Sequence, residues 1–135
     1  MTTMLSDAIE LEREAMLENS MSKLRGEGYD RFSVHELPGY DEPPPLTIPV
    51  LNVQMRPDVY ATHGRLPPSL AVVEPSTDLG EEACGRRWQA LQAWAEAHAA
   101  RLHVYVHPED EARAQAIAAH WHLDTRLIEP LSRAH

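Results

Sequence analysis

The segment from Leu70 to Val106 constrains the fold of this chain more than any other. It opens with Leu70-Ala71-Val72-Val73-Glu74, a short apolar run typical of a buried strand. A helical stretch follows to about Ala100, with Cys84, Trp88, Leu91 and Ala95 on one face. Asp78 is placed to cap it, and Glu81 three residues on completes a box-like start. Arg101-Leu102-His103-Val104-Tyr105-Val106 then alternates and reads as a second strand. Strand, helix and strand in that order form a crossover, which brings both strands into one sheet with the helix packed against it.

The flanks extend the pattern. Leu5, Ala8, Ile9 and Met16 fall on one stripe of a helix from about Leu5 to Leu24, which Gly26 and Gly28 close. Arg31 to Leu37 alternates as a half-buried strand does. Pro38-Gly39-Tyr40-Asp41-Glu42-Pro43-Pro44-Pro45 excludes helix and interior strand, so a surface loop is expected at about 38–50. Another strand lies in Val50–Gln54 or in Asp58–Thr62, before a turn through Gly64 and Pro67-Pro68. Beyond Val106, Pro108 suits a first helical residue, with Glu109, Asp110 and Glu111 at the positive helix end. That helix carries Ala116, Ile117 and His120, and a last short strand includes Arg126-Leu127-Ile128. The expected order is α-β-β-β-α-β-α-β: an α/β chain with a central mixed sheet and a single domain over residues 1–135.

At 135 residues, 43% hydrophobic and 24% charged, the composition is globular. No apolar run approaches a membrane span and the first residues carry no signal-peptide core, so a cytoplasmic protein with no membrane partner is expected. Cys84 is the single cysteine, which excludes an internal disulfide and a cysteine-based zinc site. Twenty-one acidic residues against 12 basic ones give a net charge of −9, and Lys23 is the only lysine. The average field therefore disfavours nucleic acid, unless a local arginine patch or a metal ion reverses it in one groove.

Two residue patterns and their order resemble the PD-(D/E)xK nuclease superfamily, the restriction-endonuclease-like fold. Arg56-Pro57-Asp58-Val59-Tyr60-Ala61 resembles the "PD" strand, and Leu70-Ala71-Val72-Val73-Glu74-Pro75-Ser76 lies where the (D/E)xK strand belongs. Gly85-Arg86-Arg87-Trp88-Gln89-Ala90-Leu91 is similar to the basic-aromatic helix start of small members. The resemblance spans about Leu5 to Ile128 and implies a Mg²⁺-dependent hydrolase that cuts DNA or RNA. It places metal-binding carboxylates at Asp58 and Glu74, and a third at Glu12 on the first helix. Ser76 then stands at the lysine position as the remaining catalytic position, and Arg86 and Arg87 would hold phosphate. Such a site is chemically coherent, since Mg²⁺ prefers carboxylate oxygens and activates water for attack on a phosphodiester. A second register puts Glu74 at the lysine position and Val72, which cannot bind metal, at the second acid. The Glu-x-Glu-Thr version of the motif aligns with Val72-Val73-Glu74-Pro75 equally well. Both registers depart from the family pattern, so the resemblance also admits an inactive nuclease-fold domain that binds a protein partner or serves as an accessory subunit. The loop Pro38–Pro45 and the first helix would then be its contacts.

Each candidate has a plainer reading. Glu12 shares a stripe with Ile9 and Met16, whereas Glu10, Glu14 and Glu18 are solvated charge. Arg86 and Arg87 near a helix start can pair with Glu81 or Glu82, and Trp88, Trp94 and Trp121 suit packing. His103 and His107 share a strand face, while His120 and His122 diverge if both are helical, which argues against zinc. Cys84 reads as a buried small residue.

Overall fold

The structure is a computed structural model that describes residues 2–131, with side chains from residue 8 onward. Helix α1 (Thr2–Gly26) buries Met16, Leu17, Ser20, Met21 and Leu24. Those positions recur at three and four and form one stripe. The stripe lies further along than expected: Ala8 is exposed, Ile9 is half-buried, and Leu5 lies outside the described side chains. Gly28, at φ 107°, lets the chain reverse after the helix.

Strand β1 (Arg31–Val34) follows, and then the proline-rich segment, mostly exposed, leads into β2 (Leu46–Thr47) and β3 (Gln54–Met55). These two pair only with each other as a small antiparallel ribbon. Strands β4 (Val59–Thr62) and β5 (Ser69–Glu74) come next, then α2 (Glu81–Ala97), β6 (Arg101–Val106), α3 (Glu111–His120) and β7 (Ile128–Pro130). The main sheet has five strands in the order β1-β4-β5-β6-β7. β1 pairs antiparallel with β4 and β4 antiparallel with β5, while β5, β6 and β7 are parallel. This is an α/β fold with a mixed sheet; of the two strand alternatives upstream of Gly64, Asp58–Thr62 supplies β4, whereas Val50–Val53 forms the connection within the ribbon and only Gln54 enters β3.

Alternation along the central strands builds two cores. Leu70 and Val72 of β5 and Leu102, Val104 and Val106 of β6 pack against α2 and α3, around the fully buried Trp88. Ala71, Val73 and Tyr105 project to the other face, against the α1 stripe. Every residue of β5 is buried, as a central strand between two helical layers requires. Three local expectations are corrected. Gly80, not Asp78, precedes α2, because residues 76–78 form a separate 3-10 turn. Pro108 likewise opens a 3-10 turn ahead of α3. Finally, Asp124 caps a 3-10 turn at 125–127 by accepting from the Arg126 amide, which delays β7 to Ile128.

Candidate functional site

The antiparallel register of β4 and β5 brings the residue before β4 beside the end of β5. Asp58 and Glu74 consequently lie at the same end of the sheet, 4% and 5% exposed. Carboxylates this buried need partners. Asp58 Oδ2 accepts from the Val73 amide at 2.9 Å, and Asp58 Oδ1 lies 3.0 Å from Arg13 Nη2. Arg13 also donates to the His35 carbonyl at 3.2 Å, which fixes its guanidinium across the sheet end. From the opposite layer Arg87 reaches both acids, with Nη2 3.4 Å from Asp58 Oδ1 and Nη1 3.7 Å from Glu74 Oε1. Its Nη2 additionally donates to the Arg56 carbonyl at 3.3 Å.

Glu74 projects toward α2, where the Cys84 thiol (2.8 Å) and the Trp88 indole N–H (3.3 Å) both donate to Oε2. Burial pushes the Glu74 pKa above its ordinary value, and the charge of Asp58 adds to this. The bonds from Cys84 and Trp88 and the charge of Arg87 oppose the rise without cancelling it. The Cys84 thiol is pushed up to about 12 by its own burial and then by Glu74. It is therefore a neutral donor to the carboxylate and not a nucleophile.

The remaining expected site residues are engaged elsewhere. Glu12 is bound to His107 Nε2 at 2.6 Å. Consecutive helical residues point about 100° apart, so with Glu12 turned to His107 it is Arg13 that reaches Asp58. Ser76 donates to Asp110 Oδ2. Arg86 pairs along the exposed face of α2 with Glu82, 2.6 Å away. Arg87, expected to hold phosphate, spends its donors on Asp58, Glu74 and the Arg56 carbonyl. Trp88 and Trp94 belong to the core, and Trp121 packs on its edge.

The electrostatic consequence follows from counting charges. Two guanidinium groups lie against two carboxylates, so the site is neutral with both acids ionised and positive when Glu74 is protonated. A divalent cation gains from carboxylates only what other cations have not already taken. Sequence reasoning missed Arg13, although a signal was present. It stands three and four residues before Met16 and Leu17, and is thus the polar continuation of the buried stripe. No family model, curated protein or solved structure matches the chain.

Proposed function

We propose that the chain is a non-catalytic domain of the restriction-endonuclease-like kind that serves as a protein-binding or accessory subunit. The observation that carries this reading is the pair of arginines, Arg13 and Arg87, seated on the two carboxylates that a nuclease would use for metal. The fold half of the proposal is supported by the order of elements. An antiparallel β1-β4-β5 set is continued by parallel β6, helices lie on both faces, and Asp58 and Glu74 share one sheet end. Loss of chemistry is supported by Ser76 at the lysine position, bound to Asp110, and by Glu12 bound to His107. The net charge of −9 also disfavours a polyanionic substrate.

A protein partner is supported by the tip of the β2–β3 ribbon. Val50 is fully exposed, and Leu51 and Val53 beside it are 63% and 48% exposed. Neighbouring apolar side chains held in water favour a contact surface over a solvated loop. The mostly exposed proline-rich segment leads directly into this ribbon.

The competing reading, a divergent Mg²⁺-dependent nuclease, requires both arginines to leave the carboxylates when metal and substrate arrive. Incubating the purified chain with single- and double-stranded DNA and RNA in Mg²⁺ or Mn²⁺ separates the two. The non-catalytic domain leaves every substrate intact. Divalent-dependent cleavage that disappears in Asp58→Asn would overturn the proposal in favour of the nuclease.

A further inference from the structure

A second polar cluster lies on the α1 face of the sheet, toward the opposite end of β6 from Asp58 and Glu74. His103 on β6 is 2% exposed, and its Nδ1 is bound to Glu129 of β7. Glu27, just beyond the end of α1, completes the group. One ring nitrogen of His103 and one carboxylate oxygen of each glutamate lie within 4.8 Å of one another.

Two further observations single this cluster out. The second ring nitrogen, His103 Nε2, is buried and meets no hydrogen-bond partner among the described residues. Neither does the hydroxyl of Tyr105, a residue with no exposed surface, whose ring stacks on His103 at 5.6 Å and 6°. Buried polar groups normally find partners, so two orphans beside a His-Glu-Glu cluster point to a bound species that supplies them.

We propose that His103, Glu27 and Glu129 form a binding site for a divalent first-row metal ion of the Zn²⁺ or Mn²⁺ class. One imidazole nitrogen with two carboxylate oxygens is a mixed donor set that suits such ions better than Ca²⁺ or Mg²⁺, which favour oxygen alone. Zinc–ligand bonds are about 2.0–2.2 Å, so two ligands of one ion stand at most about 4.4 Å apart. To admit an ion, His103 and Glu129, now in direct hydrogen-bond contact, must separate, and exposed Glu27 must draw in. Its present partner is Arg101 at 3.4 Å, an open surface pair of little energetic weight. Tyr105, stacked on His103, would pair its hydroxyl with a metal-bound carboxylate or water, the usual outer-shell role. His103 and Glu129, though not Glu27, also line a surface pocket of ≈ 370 Å³.

The test is a titration of the untagged full chain with Zn²⁺ and Mn²⁺ by calorimetry, repeated with Co²⁺ and read by its visible absorption. The wild type should bind one ion with micromolar or tighter affinity and melt at a higher temperature when loaded. Glu27→Gln, at an exposed position, should keep the melting temperature of the metal-free protein and weaken binding about tenfold or more, at least what an outer-shell loss costs. Glu129→Gln should weaken it further, and Asp58→Asn should leave it unchanged. The site is refuted by absence of binding, by binding that survives both glutamine variants, or by binding lost in Asp58→Asn and kept in Glu27→Gln.

Discussion

At Asp58 a backbone amide and two guanidinium groups converge on one buried carboxylate, so its removal strips the acceptor from the Val73 amide and from Arg13 Nη2 and leaves Arg87 only Glu74 and the Arg56 carbonyl. Asp58→Ala should cost about 3–5 kcal/mol, the usual consequence of stripping one member from a buried ionic cluster. Asp58→Asn, which keeps an acceptor, should cost less; urea unfolding measures both. Glu74 carries the pH dependence. Its folded-state pKa lies above the ordinary 4.5, so the folded chain holds this proton more tightly than the unfolded chain does. The stability this supplies is full below the unfolded value and is lost as pH rises through the folded one. Glu74→Gln keeps an acceptor for Cys84 and Trp88 and carries no charge. Its unfolding free energy should therefore equal or exceed that of the wild type at neutral pH, with the difference turning against the variant on acidification below 4.5. A variant less stable at pH 7 than at pH 4, each relative to wild type, would contradict this. The two acids were legible in the sequence because each terminates or precedes an apolar strand. Their partners were not, because Arg13 and Arg87 are brought to them by α1 and α2 from opposite layers, and composition and spacing carry no such contact.

Elements differ in how plainly the sequence announced them. The β5–α2–β6 crossover was legible because a continuous apolar run, a helical stripe and an alternating run follow one another. The β2–β3 ribbon was not legible, since two-residue strands carry too little periodicity to be recognised, and Leu46–Thr47 falls within the loop expected at about 38–50. At its tip Val50 has φ 71°, a left-handed conformation that costs a β-branched residue about 1–2 kcal/mol. Val50 is also fully exposed and has no packing to lose. Val50→Asn should accordingly raise stability by about 1 kcal/mol, because asparagine tolerates that conformation. Thermal or urea unfolding checks it, and a loss of stability would show the geometry to be otherwise supported. The α2–α3 contact depends on Gly85, where an added Cβ would lie 2.0 Å from Trp121 Nε1. That indole donates to the Glu81 carbonyl at 2.9 Å, so Gly85→Ala must displace it and break the bond. A cost of about 1–3 kcal/mol is expected, with an altered Trp121 environment in the fluorescence spectrum.

For the molecule as a whole, a five-stranded mixed sheet between one helix and a pair of helices follows from local patterns, and the expected order of elements survives with one added ribbon. Function is less directly written, because it turns on whether two carboxylates meet a metal or an arginine. The charge count at the sheet end favours the proposed non-catalytic reading, since Arg13 and Arg87 already lie against the carboxylates a cation would seek. The most direct measurement is an amide and indole NMR titration of the full chain with millimolar Mg²⁺. The Val73 amide, which donates to Asp58, and the Trp88 indole N–H, which donates to Glu74, report on the two acids. Carboxylates locked by arginine predict that both resonances stay in place throughout. Saturable shifts of both, absent in Asp58→Asn, would show that Mg²⁺ displaces the arginines and would contradict a non-catalytic domain.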